Sequence, residues 1–170
     1  MMRRLALSVL LPAMILSAPF AAAKTVEVKM LNRNASGPMV YEPDYLVMEP
    51  GDTVRFLATA PGHNAGTIDE MLPAGAEPFK GQINEEIEAT LTEPGIYGIK
   101  CSPHFAMGMV MLIQVGDRPA AETDLPAGLP TRADRRLREI IARQNSGQEQ
   151  AEPQTSPEPE AGPDTAPDTE

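Results

Sequence analysis

The strongest constraint on this chain is a pair of apolar segments separated by a short loop that is rich in metal-binding side chains. Residues 96–99 and 110–115 are mostly apolar, so each is predicted to be a buried strand. The loop between them holds the only cysteine of the chain, Cys101, and one of its two histidines, His104. The other histidine, His63, lies far upstream. Two strands that enclose such a loop predict a metal site.

The N-terminus is typical of a secretory signal peptide. Arginines at positions 3 and 4 precede a largely apolar run, residues 5–16, which is too short to span a membrane. Cleavage after Ala23 would leave Lys24 as the first residue of the mature chain, so residues 1–23 are predicted to direct export. A twin-arginine signal is the alternative interpretation, but its flanking consensus is missing. No other stretch is long and apolar enough to predict a membrane span.

A single cysteine in an exported protein has no partner in its own chain for a disulfide. Such a thiol is either buried as a small hydrophobic side chain or held by a metal ion. Thiolate and thioether sulfur are soft ligands and imidazole is intermediate, a combination that suits copper. Zinc is the alternative metal, but it gains little from a thioether, and structural zinc sites more commonly carry a second cysteine.

The spacing of these side chains fits a site built from two histidines, one cysteine and one methionine. Two residues separate Cys101 from His104, so both side chains can face one point, and a Pro-Gly turn precedes His63. A trigonal His₂Cys site with a weak axial methionine is the blue-copper arrangement used for electron transfer. Three methionines lie close enough to be the axial ligand: Met107, Met109 and Met111.

The rest of the chain from residue 25 to residue 116 is predicted to form short strands separated by turns. Apolar and polar residues alternate at 26–30 and 87–91, the pattern of half-buried strands. Residues 32–38 are predicted to form a turn, and residues 67–81 a loop with one helical turn. Regularly spaced strands of this kind predict an antiparallel sandwich or barrel.

A helix is predicted at Thr131–Gln144, after the composition changes at Gly116. Thr131 is predicted to cap it, and an apolar stripe at positions 137, 140 and 141 is expected to pack on the sandwich. Arginines and glutamates lie four residues apart along the helix. They are interpreted as a solvated face rather than as a basic patch for a partner.

Four segments are predicted in all: a signal peptide at 1–23, a sandwich domain at 24–118, a helical extension at 119–144 and a tail at 145–170. The tail contains seven acidic residues and no basic one, which predicts disorder, with a tether or electrostatic decoy as its alternative role. The chain has a formal net charge of −10, which argues against nucleic-acid binding because that needs a basic face.

Two motifs, GHN at Gly62–Asn64 and YGIKCSPHFAMGM at Tyr97–Met109, resemble the cupredoxins, and among them most closely the pseudoazurins. The resemblance extends over roughly residues 24–143. It implies an all-β Greek-key cupredoxin sandwich of about eight strands, with a C-terminal helix and one copper ion, in a periplasmic protein. The family's methionine ligand is the last of A-M-G-M, so the resemblance implies four copper ligands: His63, Cys101, His104 and Met109.

The resemblance also suggests roles for residues around the copper. Asn64 is expected to tie the His63 segment to the cysteine loop through hydrogen bonds. Pro103 has no N–H to donate to the Cys101 thiolate, which predicts a lower reduction potential. Around His104, an apolar docking patch for electron exchange is expected, as in other small redox proteins. The patch residues are Met39, Pro61, Pro103, Ala106 and Met107.

Partners implied by the resemblance are redox proteins such as a nitrite reductase or a c-type cytochrome, bound transiently by a monomer. Pseudoazurins typically surround the patch with lysines that steer acidic partners. Here three positions that are often lysine in the family are Pro61, Pro78 and Gln82. The remaining candidates for a basic collar are Arg33, Lys80 and Lys100.

Three functions fit a lone cysteine beside histidines, and a non-enzymatic electron carrier is the favoured one. A copper chaperone or storage protein is the alternative, since methionine is abundant, although that class favours Met-rich or multi-Cys open sites. A Cys–His hydrolase would need an oriented base and an oxyanion hole. The tight loop and Pro103 surround Cys101 too closely for that role.

Overall fold

Eight strands in two sheets and one C-terminal helix make up the described part of the chain, residues 22–147 of a computed structural model. The strands are β1 (Thr25–Asn34), β2 (Gly37–Glu42), β3 (Tyr45–Met48), β4 (Thr53–Leu57), β5 (Gly66–Thr67), β6 (Ile87–Thr90), β7 (Gly95–Lys100) and β8 (Val110–Val115). Helix α1 is Thr131–Asn145, and short 3₁₀ helices are Asp69–Met71, Ser102–Met107 and Glu122–Asp124. Most of the predicted signal peptide at 1–23 and most of the predicted tail at 145–170 lie outside the described residues, since these begin at 22 and end at 147.

The two sheets have the strand orders β2-β1-β4-β6 and β3-β8-β7-β5. The predicted sandwich of about eight strands with a C-terminal helix is confirmed. The expectation of purely antiparallel pairing is wrong, because β1 pairs with β4 and β3 with β8 in parallel. Apolar alternation indicates which face of a strand is buried, but it carries no information on the direction of the neighbouring strand.

Strand β1 extends further than its apolar pattern predicts. Val28 and Met30 are fully buried, as the alternation requires, but the strand continues to Asn34 instead of turning at residue 32. The turn is much tighter than expected, and the Asn34 side chain accepts a hydrogen bond from the Ser36 N–H. Asn32 therefore remains in the strand, two residues beyond Met30 and on the same side of the sheet.

The main core lies between the sheets and reaches the cysteine loop at one end. Cys101 and Met109 are fully buried in the same apolar cluster as Tyr41 and Phe56. The rings of Tyr41 and Phe56 meet edge to face, with centroids 6.0 Å apart. Burial raises the pKa of Tyr41 well above its ordinary value. This packing holds the loop at its two ends.

Helix α1 packs on the β3-β8-β7-β5 sheet and buries the predicted apolar stripe. Leu137, Ile140 and Ile141 are almost completely buried, and they share a cluster with Val110 and Leu112 of β8. The apolar stripe of the helix therefore lies against β8. Among residues 22–147, no helix has both the length and the apolar character that crossing a bilayer requires.

The beginning of α1 differs from the prediction that Thr131 caps it. Pro130 occupies the cap position, and its carbonyl accepts a hydrogen bond from the Asp134 N–H. Thr131 is the first helical residue and makes no capping bond. The carboxylate of Asp134 accepts two hydrogen bonds from Arg138, which lower the pKa of Asp134.

Two arginines of α1 bind the sandwich rather than facing solvent, which corrects the interpretation of a fully solvated face. Arg143 donates from Nη2 to both oxygens of the buried Asp44 carboxylate, at 2.7 and 2.9 Å. Arg136 donates to the Met39 carbonyl at 3.0 Å. The predicted pair of Arg135 with Glu139 does form, at 3.7 Å. Both arginine contacts span almost a hundred residues, so spacing along the helix could not indicate them.

Candidate metal centre

The cysteine loop joins β7 to β8 and is closed by its own backbone hydrogen bonds. The Cys101 N–H donates to the Met109 carbonyl, and the Met109 N–H donates to the His104 carbonyl, each at 3.1 Å. Between them the 3₁₀ helix Ser102–Met107 ends at Gly108, whose φ is +90°. The predicted sharp bend at Gly108 is therefore present, in a region of backbone space that favours glycine. The bend returns the chain so that Met109 lies beside Cys101, directly before β8.

His63 reaches the loop from a separate turn, which is held by Asn84. The Asn84 N–H donates to the His63 carbonyl at 2.8 Å, and the Asn84 side chain accepts from the Gly62 N–H at 2.6 Å. Asn84 has φ +67°, a conformation that asparagine tolerates better than most residues. Sequence patterns did not indicate Asn84, because nothing in its neighbourhood links it to a histidine about twenty residues earlier.

Three donor atoms converge on one point at the end of the core. His63 Nδ1 and His104 Nδ1 are 3.1 Å apart, and Cys101 Sγ lies 3.7 Å from the first and 3.5 Å from the second. A point equidistant from all three lies about 2 Å from each, close to the length of a metal–imidazole bond. Within residues 22–147, this is the one group of three histidine, cysteine or acidic side chains placed to share a metal ion.

The proton of His63 is positioned by Asn32. His63 Nε2 lies 2.9 Å from Asn32 Oδ1. An amide oxygen only accepts hydrogen bonds, so Nε2 carries the ring proton and Nδ1 presents its lone pair to the convergence point. Metal-binding histidines in general have such a partner on the second nitrogen. The sequence predicts a turn at Asn32, although continuing the alternation of β1 by one step would have placed this residue on the inner face.

Asn64 joins three segments through its side-chain amide. Its Oδ1 accepts from the Ser102 N–H at 2.8 Å, while its Nδ2 donates to the Gly81 carbonyl at 2.9 Å and approaches the Ser102 hydroxyl at 3.3 Å. Inside the core, the Tyr41 hydroxyl donates to the Asn64 carbonyl at 2.8 Å. These bonds connect the histidine turn to the cysteine loop, and Asn64 itself is buried.

The electrostatics of the centre favour uncharged side chains when no cation is bound. Burial raises the pKa of the Cys101 thiol. Burial, and then the nearby His104, lower the pKa of His63. A bound cation reverses this balance for the cysteine, because a coordinated thiol loses its proton. Burial thus favours the uncharged forms of Cys101 and His63, and one bound metal ion can convert the thiol into a soft thiolate ligand.

Only one of the converging side chains reaches the surface. His63 and Cys101 are buried, whereas His104 is half-buried. Of the predicted patch residues, Pro61, Pro103, Ala106 and Met107 are exposed. Met39 is half-buried and packs on the main core.

An additional apolar side chain, Ile83, lies on the loop that holds the His63 turn and is 55% exposed. No sequence pattern indicated it. Among the described residues, the exposed large hydrophobics are Val47, Ile83 and Met107, so two of the three are on loops that border the centre. We call the exposed group formed by Pro61, Ile83, Pro103, Ala106 and Met107 the apolar rim.

Comparison with known proteins agrees with this geometry. The sequence profile of the copper-binding proteins of the plastocyanin/azurin family matches residues 28–116. A pseudoazurin from Paracoccus pantotrophus is 50% identical over 134 residues, which cover 76% of this chain and 90% of the relative. The chain belongs to the pseudoazurins, within the plastocyanin/azurin family. The family and the copper cofactor predicted from the sequence are therefore confirmed.

Two further pseudoazurin comparisons extend the match. A putative pseudoazurin from Rhizobium leguminosarum bv. viciae is 46% identical over 108 residues, covering 64% of this chain and 71% of the relative. The solved structure of pseudoazurin from Methylobacterium extorquens superimposes with a TM-score of 0.64 at 38% identity, covering 71% of this chain and 98% of that one. The predicted Greek-key cupredoxin fold is thus confirmed.

Proposed function

We propose that the chain is a periplasmic electron carrier in which His63, Cys101, His104 and Met109 would hold one copper ion. The observation that supports it most strongly is the convergence of three donor atoms on one buried point, with His104 alone of the three reaching the surface. Bound copper supplies a one-electron couple between Cu(II) and Cu(I). The membership of the chain among the pseudoazurins supports the same function.

The contribution of the protein is to keep the ligands in nearly the same place in both oxidation states. Asn32 fixes the ring of His63, and Asn84 fixes the backbone of that residue. Asn64 fastens the cysteine loop to the histidine turn. Because these bonds involve no metal, they hold the donors whichever charge the ion carries. Little rearrangement then opposes electron transfer.

His104 is the proposed exit for electrons, and the apolar rim is the proposed docking surface. A small apolar contact favours brief association, as suits redox proteins that must release each other quickly. Helix α1 contributes positive charge beside the rim. The exposed Arg132 and Arg135 line a groove next to Met107. We propose that a monomer docks here on redox partners such as a nitrite reductase or a c-type cytochrome.

Protein purified from the periplasm provides the direct test of the proposed function. We expect about one copper per chain, an intense blue oxidised form and a reversible one-electron couple. Visible absorption, metal analysis and voltammetry measure these three properties. A colourless, zinc-filled protein that copper cannot turn blue would contradict the proposal. A colourless protein that takes up and releases Cu(I) would instead support a chaperone or storage role.

Met107→Lys is expected to slow electron self-exchange between oxidised and reduced copies of the protein by about tenfold or more. Two copies that dock through their apolar rims would bring the two introduced lysines together, and like charges repel. Met107 is 42% exposed, so the substitution should leave folding unchanged. Nuclear magnetic resonance line broadening in mixed samples measures the rate. Self-exchange needs no knowledge of the natural partner.

Val47→Lys is the matched control for Met107→Lys. Val47 is 55% exposed and lies in β3, at the end of the sheet remote from the cysteine loop. Both variants change the net charge equally, so a general charge effect would alter both rates alike. Equal rates in the two variants would rule out docking through the rim.

Pro103→Ala is expected to raise the reduction potential. The neighbouring amides are already engaged, since the Ser102 N–H donates to Asn64 and the His104 N–H to the Cys101 carbonyl. Alanine adds an N–H beside the cysteine, and donation to the thiolate would withdraw charge from sulfur and favour Cu(I). Voltammetry measures the change. Pro50→Ala, in the turn at the opposite end of the sandwich, is the control, and an unchanged potential in Pro103→Ala would disprove the hydrogen-bond argument.

A further inference from the structure

A buried carboxylate lies at the point where the first strand begins. Asp52 precedes β4 and is 4% exposed. Its Oδ1 accepts a hydrogen bond from the main-chain nitrogen of Lys24 at 2.9 Å, and its Oδ2 accepts from the Glu49 N–H at 2.9 Å. The side-chain ammonium of Lys24 is 3.6 Å from Oδ2 and about half exposed. A buried carboxylate has lost its hydration, so a charged donor at hydrogen-bond distance stabilises it more than a neutral donor does.

Lys24 is fixed at this point by both of its main-chain groups. Its carbonyl accepts a hydrogen bond from the Thr53 N–H at 2.9 Å, which continues the parallel pairing of β1 with β4. Residues 22 and 23 before it are exposed and belong to no strand or helix. The fold therefore holds the nitrogen of Lys24 against Asp52 and places the peptide bond before it at the surface.

We propose that processing between Ala23 and Lys24 makes Asp52 the counter-ion of the mature N-terminus. This proposal rests on the proposed export of the chain. Hydrolysis of that peptide bond by an exported-protein peptidase consumes one water molecule. It leaves a carboxylate on Ala23 and an amine on Lys24, which takes up a proton to become an ammonium near neutral pH.

Cleavage changes the donor at Asp52 from a neutral amide to an ammonium, so the hydrogen bond to the carboxylate becomes an ion pair without moving the chain. The nitrogen already lies 2.9 Å from Oδ1, within the range of charge-assisted hydrogen bonds. Because the carboxylate is buried, salt screens this pair less than it screens a surface pair. If one residue more is retained, the ammonium moves about 3.8 Å along the chain. Only cleavage at this bond brings the new charge into contact with Asp52, so processing stabilises the mature fold.

The test compares the chain beginning at Lys24 with the same chain retaining Ala23, each with and without Asp52→Asn. In the chain with Asp52, we expect removal of Ala23 to raise the melting temperature of the copper-loaded protein by about 3–6 °C. In the Asp52→Asn chain, we expect the same removal to shift it by less than about 1 °C. The chain that retains Ala23 keeps the hydrogen bond from the Lys24 amide to Asp52. The difference in melting temperature between the two chains therefore measures the effect of the charge on the Lys24 main-chain nitrogen.

Two results would overturn the proposal: equal melting temperatures with Asp52 present, or a difference that persists in Asp52→Asn. Mass spectrometry of the exported protein adds a third, a mature chain that begins at any residue other than Lys24. If Asp52→Asn does not fold, Lys24→Gln replaces it. Lys24→Gln removes only the side-chain charge, so removal of Ala23 must still raise the melting temperature in that variant. All forms should be equally blue, so failure here is distinguishable from failure of the copper site.

Discussion

Cys101→Ala is expected to abolish the blue colour and to weaken copper binding by more than about 100-fold, since loss of groups that merely support metal ligands costs 10- to 100-fold. Cys101 supplies the only thiol in the chain, and its sulfur lies within 3.7 Å of both histidine donors. No neighbouring described side chain offers a replacement thiolate. Visible absorption and copper titration measure the loss.

The copper-free fold should survive this substitution. Removing one buried sulfur from a well-packed core costs about 1–2 kcal/mol, which most domains tolerate. Thermal unfolding of the copper-free chain checks this point. Met111→Leu is the matched control, because Met111 is also fully buried close to the loop but is not a proposed ligand. A blue Cys101→Ala protein, or a colourless Met111→Leu protein, would refute the proposed ligand set.

Gly108→Ala is expected to lower the free energy of unfolding by about 3 kcal/mol or more, through backbone strain combined with a steric clash. The φ of Gly108 is +90°, and a Cβ there would lie 2.9 Å from the carbonyl oxygen of Arg132 in α1. That oxygen belongs to the helix backbone, so the loop or the helix must shift. We also expect a changed blue absorption spectrum, because Met109 follows directly. Denaturant unfolding and visible spectra measure both effects.

Gly128→Ala separates the two causes of this destabilisation. Gly128 has a similar φ of +88°, but a Cβ there would have no atom within 4 Å. Gly128→Ala should lower the free energy of unfolding by about 1–2 kcal/mol, from backbone strain alone, and leave the spectrum unchanged. If the two alanine variants are equally stable and equally blue, close packing of α1 on the loop does not matter for the site.

The sequence predicted best those features that depend on local pattern and on donor chemistry. The alternation at Val28 and Met30 correctly indicated a half-buried strand, and the soft donors of the cysteine loop correctly indicated copper. Two residues that act over long distances were missed. Asn32 contacts a histidine 31 positions away, and Asn84 holds the same histidine turn. Their neighbourhoods are polar and resemble ordinary turns, so no periodicity marks them.

The partners of some charged side chains on helix α1 also could not be predicted from the sequence. Arg143 lies four residues from Glu139, and helix spacing therefore suggested a surface pair. In the structure it binds Asp44, 99 positions earlier, because the buried carboxylate offers both oxygens. Its partner depends on which strand the helix crosses. That information comes from the tertiary fold and not from the sequence of the helix.

Helix α1 has a practical consequence for defining the smallest working unit of the chain. The family profile ends at residue 116, which suggests that a shortened protein could stop with β8. Yet the first turn of α1 touches the loop at Gly108, and its last turn is fastened to Asp44. A truncation at 118 would uncover apolar residues of β8 and release one wall of the loop. For engineering, fusion points belong after Gly147, and the minimal module runs through Arg143.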